Sequence, residues 1–373
     1  MKKALALAAK GTGMTSPNPM VGAVIVRGNK IIAADYHRKA GMPHAEILAL
    51  KKAGTRARGA TLFITLEPCC HTDKRTPPCT KSIINSEIKK VVVAMKDPNP
   101  KVNGRGIKEL ANAGIKTEYG IMEKEAKKLN EAFIKFITKK EPFVILKIAQ
   151  SIDGKIATSK GRSKWITGEN SRRYVHKLRS SVDAVLTGIG TVLKDNPSLT
   201  SRIRGGKNPY RVIVDTSLRI PLNAKVIKHK DLKTIIAAIP PHPCLPDRQA
   251  PLSKGGIKGR YQKKVDILKN LGAQVLIVKA KNGKVDLKAL MKELGKLNIM
   301  SLMIEGGSSI NASALSDKVV DKVMFFIAPK IMGGSDSISS VGGKSPALLK
   351  NAFRIKNLQI KKMGEDLLLE GSL

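Results

Sequence analysis

Short apolar runs alternate with amphipathic stretches along the chain. Residues 21–26 and 30–35 are apolar-rich and are separated by Arg27-Gly28-Asn29, which predicts a β-hairpin. A helix is expected from Pro43, which the first helical position tolerates, to Gly54. Strands and helices then alternate, which predicts a layered α/β sheet. The further elements are a strand at 62–66, a helix after 77–78, a strand at 91–95 and a helix at 107–113.

A basic, proline-containing segment at residues 138–142 (TKKEP) interrupts this pattern, and a new strand begins at Phe143. We therefore predict two domains, at residues 1–141 and 142–373. Residues 240–264, rich in proline, glycine and lysine, predict a mobile surface loop. Strands are expected in the second domain near 184–187, 211–215, 234–238, 274–278, 302–304 and 323–328.

Composition narrows the class of protein. The chain has 373 residues, 42% hydrophobic and 26% charged, which suits two globular domains and excludes a disordered or fibrous polymer. Aromatic residues make up 3%, too few for a platform that stacks nucleic-acid bases. No apolar run approaches the roughly 20 residues of a membrane span, and the N-terminus carries no cleavable signal pattern. We expect a cytoplasmic protein without a membrane partner, and a homo-oligomer stays open.

The formal net charge of +39 raises nucleic-acid binding as an alternative. However, the lysine and arginine residues are spread along the whole chain instead of being gathered in one stripe. A phosphate-bearing small substrate or cofactor would also benefit from a positive field. We therefore expect no nucleic-acid partner.

Three of the four cysteines lie within residues 69–79, which indicates a metal site in a reducing compartment. His44-Ala45-Glu46 opens one predicted helix, and Pro68-Cys69 and Pro78-Cys79 flank the start of another. One imidazole and two thiols suit Zn²⁺ with a water in the fourth position. Glu46 is well placed to move a proton of that water, and this pattern is typical of zinc deaminases.

Two other interpretations remain at this point. The cysteines are ordinary buried residues, or the zinc is structural and Cys70 supplies a fourth ligand. Nine residues lie between Cys69 and Cys79, whereas eight lie between Cys70 and Cys79. Either cysteine of the pair therefore remains a candidate ligand.

The motifs at residues 15–22 (TSPNPMVG), 44–46 (HAE) and 66–79 (LEPCCHTDKRTPPC) resemble the deaminase half of the bifunctional riboflavin-biosynthesis deaminase/reductase family. The resemblance continues through DPNP at 97–100 and GRG at 104–106. It implies a cytidine-deaminase-like three-layer domain with zinc, one per chain, on His44, Cys69 and Cys79, and Glu46 as proton shuttle.

The same resemblance implies that Asn18 and His71 contact the substrate. An Asn amide can both donate to and accept from a pyrimidinone edge. Alternatively, Asn18 is a turn residue between two prolines and His71 a spare ligand. Lys74 and Arg75 are candidates for the ribose phosphate, and His37 is interpreted as a surface or loop histidine.

No Gly-x-Gly-x-x-Gly follows the first strand of the second domain, so a Rossmann fold is not predicted. Residues 304–309 (IEGGSS) instead follow an apolar strand and open a helix, where backbone N–H groups can receive a phosphate. A simple tight turn is the alternative interpretation. Gly333-Gly334 has the same two interpretations, a loop near a cofactor or a turn.

The motifs at 146–155 (LKIAQSIDGK), 163–167 (SKWIT), 190–197 (GTVLKDNP) and 305–307 (EGG) resemble the reductase half of the same family. They imply a dihydrofolate-reductase-like domain that uses NADPH. Lys147 and Asp195 are candidates for proton transfer. The implied substrate contacts are Ser163, Arg179, Leu199, Arg202 and Glu305, and the implied cofactor contacts are Ala149, Trp165, Thr191, Asp195, Thr216, Gly307, Ser308, Ser309, Ile310, Asn311, Ala312 and Ser313.

The resemblance thus implies a bifunctional enzyme for a phosphorylated pyrimidine. Its first domain would deaminate 2,5-diamino-6-(5-phosphoribosylamino)pyrimidin-4-one, and its second would reduce the ribosyl group of 5-amino-6-(5-phosphoribosylamino)uracil to ribityl. One competing hypothesis is a zinc-dependent nucleic-acid deaminase with a basic accessory domain. Another is a non-catalytic, zinc-stabilised binding module.

Overall fold

The computed structural model describes residues 1–71, 77–229, 231–241 and 256–373, which fall into two compact units, Met1–Glu141 and Pro142–Leu373. The strands of the first unit are β1 (Gly22–Arg27), β2 (Lys30–Tyr36), β3 (Thr61–Leu66), β4 (Lys90–Met95) and β5 (Lys116–Tyr119). Its helices are α1 (Lys2–Ala8), α2 (Ala45–Ala53), α3 (Cys79–Asn85), α4 (Arg105–Asn112), α5 (Glu123–Leu129) and α6 (Glu131–Lys139), with 3-10 turns at Ala9–Gly11 and Gly54–Ala57.

The first unit is built on a five-stranded sheet in the order β2-β1-β3-β4-β5. The predicted hairpin β1–β2 is antiparallel, β1 and β3 are antiparallel, and β3, β4 and β5 run parallel. Gly22 lets α1 lie directly on β1, because a Cβ atom there would be 2.1 Å from the Ala4 carbonyl oxygen. Because β3 and β4 are parallel, their carboxyl ends lie at the same edge of the sheet, and the loops that carry the candidate site residues begin there.

The second unit contains a nine-stranded sheet in the order β11-β10-β9-β8-β14-β6-β15-β18-β17, plus two short two-stranded pairs, β12-β13 and β16-β7. Its strands are β6 (Phe143–Ser151), β7 (Lys155–Ala157), β8 (Ala184–Gly188), β9 (Tyr210–Val214), β10 (Thr234–Ala238), β11 (Ala273–Ile277), β12 (Ala280–Lys281), β13 (Lys284–Val285), β14 (Ser301–Ile304), β15 (Lys322–Ala328), β16 (Ile338–Ser339), β17 (Lys356–Met363) and β18 (Asp366–Ser372). Its helices are α7 (Glu169–Ser181), α8 (Ile189–Asp195), α9 (Gly256–Asn270), α10 (Leu287–Lys296) and α11 (Ser308–Ser316), with a 3-10 turn at Leu349–Asn351.

Both faces of this larger sheet are covered. Along β14, Leu302 and Ile304 belong to one apolar cluster and Met303 to another, because successive side chains of a strand point to opposite faces. Strands β8, β14 and β6 are parallel neighbours, as expected of strands buried on both faces. The α/β fold class predicted from the alternating pattern is confirmed, and the six strands expected in the second domain are all present.

Two local predictions are wrong. The helix expected to begin at Pro43 begins at Ala45, so His44 is its N-cap residue. The end of the segment 240–264 is not a loop, because α9 begins at Gly256. Tyr261, Val265 and Leu268 recur at helical spacing and pack into the core, a periodicity hidden by the many lysines. Residues 242–255 of that segment lie outside the described residues.

Candidate functional site

His44, Cys69 and Cys79 converge in the first unit. Their ligand atoms lie within 4.8 Å of one another, with His44 Nδ1 3.2 Å from Cys79 Sγ and 3.6 Å from Cys69 Sγ. His44 stands at the N-cap of α2, Cys79 is the first residue of α3, and Cys69 follows β3. One imidazole nitrogen and two thiol sulfurs in this arrangement are the donor set of a zinc site with an open fourth position.

Cys70 does not join this cluster in the structure. Its Sγ faces the Lys101 carbonyl oxygen at 4.0 Å, and burial raises the pKa of its thiol. The Cys79 backbone N–H, at the start of α3, instead points at Cys69 Sγ, 3.4 Å away. Helix N-terminal N–H groups favour a thiolate, so this geometry favours Cys69 as the ligand.

Glu46 lies beside the three donors and is 3% exposed. Its Oε2 atom has no hydrogen-bond partner among the described residues. Burial, followed by the nearby Cys69 thiol, raises the pKa of this carboxyl. A buried carboxyl oxygen without a partner next to a zinc donor set fits a role in which it bonds a metal-held water.

His37 follows β2 directly and lies outside any strand or helix, so it is a loop residue, but the prediction that it lies at the surface is wrong because it is 2% exposed. Its ring meets that of His44 edge-on with centroids 5.4 Å apart. Its Nδ1 lies 3.2 Å from the Pro43 carbonyl oxygen and its Nε2 3.1 Å from Asn18 Nδ2. A carbonyl can only accept, so Nδ1 carries the proton and Nε2 accepts from Asn18. Burial lowers the pKa of this imidazole, consistent with the neutral ring.

The segment that carries Asn18 is also held from a distant helix. The Asn130 side chain accepts from the Met20 backbone N–H at 2.8 Å and donates to the Met20 carbonyl at 3.0 Å. Asn130 is the N-cap residue of α6 and is 2% exposed. Both hydrogen-bonding groups of the Met20 backbone are thereby satisfied, which fixes the chain two residues after Asn18.

The remaining predicted contacts of the first unit are only partly described. His71 is half-buried and follows the Cys69-Cys70 pair directly. Lys74 and Arg75 lie outside the described residues.

In the second unit, the predicted residues gather at the carboxyl ends of neighbouring parallel strands. Glu305 follows β14, Thr191 lies just beyond β8 in α8, and Thr216 follows β9. This edge of an open parallel sheet is where ligands bind in α/β proteins. Ala149, near the end of β6, is half-buried there.

Glu305, Arg179 and Lys147 form one buried charged cluster. Arg179 donates through Nε and Nη2 to the two Glu305 carboxylate oxygens at 2.5 and 2.8 Å, and Lys147 Nζ lies 3.1 Å from Oε2. Burial by itself would raise the pKa of Glu305, but the two cations hold it well below its usual range. The carboxylate therefore stays ionised and fixes the position of the Lys147 ammonium group.

The remaining predicted substrate contacts surround this cluster. Arg179 Nη1 also donates to the Thr200 carbonyl oxygen at 3.2 Å, which ties α7 to the loop that carries Leu199 and Arg202. Both of these loop residues have left-handed backbones, with φ of 54° and 53°. Leu199 is buried, Arg202 is exposed, and Ser163 is half-buried.

The glycine motif opens a helix, as predicted, since Gly307 is the N-cap residue of α11. A Cβ atom at Gly306 would lie 1.8 Å from Ile310 Cγ2, so a larger residue here would displace the Ile310 side chain. The Gly307 backbone runs close to Thr191, whose Oγ1 would be 3.5 Å from an added Cβ. The backbone N–H groups of Ser308 and Ser309 at this helix start suit a phosphate of a nucleotide.

The rest of the predicted loop lies within α11. Asn311 is 1% exposed and donates to the Ser340 carbonyl oxygen at 2.8 Å. Ile310 packs against the core and Ala312 is buried. Ser313 is half-buried on the same helix. Gly307, Ser308 and Ser309 thus form the start of the helix, and the other four predicted contacts follow them along α11.

Three further cofactor candidates lie on exposed or half-exposed segments. Trp165 is 63% exposed, with the Arg172 guanidinium 4.7 Å from the centre of its ring. Asp195 ends α8. Gly333 and Gly334 have left-handed backbones, and the Asp153 carboxylate accepts from the Met332 and Gly333 N–H groups at 3.1 and 2.8 Å.

The charged and polar contacts that sequence reasoning missed share one property. The side chains of His37, Asn130 and Glu67 each form hydrogen bonds with residues at least 19 positions away in the chain, so no local motif indicates these contacts. A polar residue directly after a predicted strand is a signal that could have indicated His37 and Glu67. Asn130, the N-cap residue of α6, carries no such signal.

The two units match two different family models. Residues 1–95 match the cytidine and deoxycytidylate deaminase zinc-binding region, and residues 142–369 match the RibD C-terminal domain. The second match accounts for the second unit, so a nucleic-acid deaminase with a basic accessory domain is not favoured. No helix in the described part of the chain is long and apolar enough to cross a bilayer.

Curated relatives match along nearly the whole chain. The riboflavin biosynthesis protein RibD of Aquifex aeolicus is 45% identical over 99% of this chain and 96% of its own length. The RibD of Escherichia coli is 35% identical over 99% of this chain and 97% of its own length.

Solved structures match equally well. Acinetobacter baumannii RibD superposes with a TM-score of 0.86 at 35% identity, covering 100% of this chain and 97% of the other. A diaminohydroxyphosphoribosylaminopyrimidine deaminase/5-amino-6-(5-phosphoribosylamino)uracil reductase from Thermotoga maritima superposes with a TM-score of 0.84 at 36% identity, covering 100% and 97%.

Proposed function

The chain belongs to the RibD family, the bifunctional deaminase/reductases of riboflavin biosynthesis, and from this premise we propose how its two units divide the chemistry. The unit Met1–Glu141 hydrolyses the ring amino group of 2,5-diamino-6-(5-phosphoribosylamino)pyrimidin-4-one. The unit Pro142–Leu373 then uses NADPH to reduce the ribosyl group of 5-amino-6-(5-phosphoribosylamino)uracil to ribityl. The observation that carries the first assignment is the cluster of His44, Cys69 and Cys79 beside the buried Glu46.

In the deaminase, His44, Cys69 and Cys79 would hold one zinc ion, which when bound would lower the pKa of a water in the fourth position. Glu46 is placed to take a proton from the attacking water as the water oxygen bonds to the amino-bearing ring carbon. Glu46 then delivers the proton to the departing nitrogen, so the C–N bond breaks and ammonia leaves. A buried carboxyl with a raised pKa suits both halves of this transfer.

Asn18 orients the pyrimidine. Because His37 accepts from the Asn18 amide nitrogen, the amide oxygen Oδ1 is presented as an acceptor for a ring N–H. The Asn130 contact with Met20 keeps this orientation fixed. His71, which directly follows the Cys69-Cys70 pair, is the second proposed substrate contact.

In the reductase, a cofactor phosphate binds at the start of α11, at Gly307, Ser308 and Ser309. The other proposed cofactor contacts are Ala149, Trp165, Thr191, Asp195 and Thr216. The cofactor held there would be NADPH, which when bound would supply the hydride for the sugar carbon. Lys147, fixed by Glu305, donates a proton to the sugar oxygen on which negative charge develops. Arg202 receives the substrate phosphate, because the guanidinium of Arg179 is already engaged with Glu305 and Thr200.

The proposal includes a small phosphorylated substrate as the binding partner, a cytoplasmic location and no nucleic-acid or membrane partner. A high positive charge suits this substrate, because the field attracts anions to either site.

The test uses the full chain with each substrate in turn. His44→Ala should stop ammonia release from the diaminopyrimidine phosphate and still consume NADPH when the uracil phosphate is supplied. Arg202→Ala should do the reverse. If both activities disappear together in either variant while the protein remains folded, the division between the two units is wrong. A wild-type protein that releases no ammonia would remove the deaminase assignment.

A further inference from the structure

One buried carboxylate gathers four backbone N–H groups next to the zinc donors. Glu67 is 3% exposed and follows β3 directly. Its Oε2 accepts from the Asp97 and Gly104 N–H groups at 3.1 and 2.9 Å. Its Oε1 accepts from the Gly106 and Ile107 N–H groups at 3.0 and 3.2 Å. Buried charges are retained in proteins when all their lone pairs are used in this way.

The two oxygens organise different pieces of the chain. Oε2 holds both ends of the loop at residues 97–104, because Asp97 and Gly104 donate to the same atom. Oε1 holds two of the N–H groups in the first turn of α4, which have no partner inside the helix. A negative charge at a helix N-terminus is also favoured by the helix dipole.

The start of α4 packs so closely on the Pro68 backbone that a side chain has no room at Gly106. A Cβ atom at Gly106 would lie 2.2 Å from the Pro68 carbonyl oxygen. The start of α4 therefore lies directly against the Glu67-Pro68 backbone. Any shift of that backbone would be transmitted to the next residue, Cys69.

Cys69 is held from its other side by α3. Its carbonyl oxygen accepts from the Thr80 N–H at 3.3 Å, and its Sγ receives the Cys79 N–H at 3.4 Å. The short segment from Glu67 to Cys69 thus lies between α3 on one side and the loop 97–104 with α4 on the other. Groups that hold metal ligands in place typically contribute about 10- to 100-fold to metal affinity or activity.

We propose that Glu67 is a positioning residue of the deaminase site, which sets the position of Cys69 relative to His44 and Cys79 by tying its backbone to the loop 97–104 and to α4. The proposal rests on the zinc-dependent deamination proposed above and adds a residue to it. A carboxylate is required, because glutamine would turn an NH₂ group toward two N–H donors and lose two of the four hydrogen bonds.

The first test compares Glu67→Gln with Glu125→Gln in the full-length protein. Glu125 is exposed on α5 in the same unit, so its variant makes the same change of charge away from the site. Zinc affinity is measured by competition with a chelator, ammonia release at saturating zinc, and NADPH consumption with the uracil phosphate. We expect Glu67→Gln to bind zinc or release ammonia about 10- to 100-fold less well, with NADPH consumption unchanged and Glu125→Gln equal to wild type.

A second pair of variants keeps the carboxylate and strains the backbone either at one of its donors or away from them. Gly104 and Gly114 both have left-handed backbones, with φ of +89° and +82°, and no atom lies within 4 Å of a Cβ added at either. Gly104→Ala and Gly114→Ala therefore introduce the same local strain at the two ends of α4. Of these two glycines, Gly104 donates its N–H to Glu67, whereas the Gly114 N–H donates to the Ala111 carbonyl oxygen. We expect Gly104→Ala to weaken zinc binding and ammonia release more than Gly114→Ala does.

These outcomes separate positioning from simple stabilisation. If Glu67→Gln and Gly104→Ala lower the melting temperature but keep wild-type zinc affinity and ammonia release, Glu67 only stabilises the fold and the proposal is overturned. If Glu67→Gln does not fold, the glycine pair decides by the same measurements. Should the wild-type protein release no ammonia, the proposed function fails, whereas the zinc affinities still test the positioning of Cys69.

Discussion

The Sγ atom of Cys79 lies 3.2 Å from Nδ1 of His44, although 35 positions separate them in the chain. The two residues stand at the starts of α2 and α3, so the packing of these helices against the sheet determines the separation of two metal donors. The third donor, Cys69, follows a buried strand. A zinc ion bound here would hold three separate elements together, and its removal should loosen all of them.

The first prediction concerns zinc content. The purified protein should carry one zinc per chain, since one donor cluster was found among the described residues. Cys79→Ser and Cys69→Ser should lose the metal, whereas Cys70→Ser should retain it because Cys70 faces the Lys101 carbonyl. Metal analysis after dialysis measures this. Loss of zinc from Cys70→Ser and retention by Cys69→Ser would reverse the ligand assignment.

Glu46→Gln should separate metal binding from proton transfer. The amide keeps the shape of the side chain but cannot accept the proton of the zinc-held water. We expect a fall in ammonia release of at least about 10²-fold with zinc content unchanged. Near-normal ammonia release at full zinc content would remove Glu46 from the mechanism.

Glu305→Gln should impair only the second activity. It leaves Lys147 and Arg179 without their buried counter-ion, and breaking a buried ion pair costs about 3–5 kcal/mol. NADPH consumption should fall strongly and the second unit should melt earlier, while ammonia release remains. Glu293→Gln, in an exposed pair with Lys296, is the matched control and should change neither. Equal effects of the two substitutions would contradict a special role for the cluster.

Asp153 should give a pH dependence in the acid range. Hydrogen bonds from Ser151 and from the Gly333 N–H lower the pKa of this carboxyl from 3.8 to about 2. A depressed pKa in the folded state stabilises that state above the unfolded value, and the benefit is lost as the pH falls from about 4 to about 2. An NMR titration of the carboxyl should give a midpoint near 2, and the Gly333 amide should exchange faster in Asp153→Asn. A midpoint near 4 would mean that the hydrogen bonds are absent in solution.

The elements that could be predicted from the sequence are those whose own residues form a continuous apolar run. Strands such as β4 and β14 are continuous apolar runs, and their positions follow directly from hydropathy. The edge strand β17 was missed because its first seven residues are all exposed. It is a strand through backbone pairing with β18, which no side-chain pattern reveals. The helix α9 was missed because lysines obscured its apolar face.

The residues of the candidate site also fall into two groups, those in local motifs and those whose contacts form only in the folded chain. His44, Glu46 and the cysteines were predicted because each lies in a compact motif whose residue types are ligands or proton carriers. His37 was misjudged, since its role depends on contacts with Asn18 and Pro43 that exist only once β2 and the following turn are folded. Arg179 and Glu305 were each predicted as substrate contacts, but the bond between them could not be predicted because they lie 126 positions apart in the chain.

The hydrogen bonds between Asn130 and the Met20 backbone affect how the deaminase can be separated as a module. The zinc-binding region recognised in the sequence ends at residue 95, yet the segment presenting Asn18 is held by a residue far downstream, at the start of α6. A truncation at residue 95 would keep the three candidate zinc ligands and lose the Asn130 hydrogen bonds that hold the segment carrying Asn18. We therefore expect a separately produced deaminase unit to need the chain through the start of α6 to keep the Asn18 segment in place.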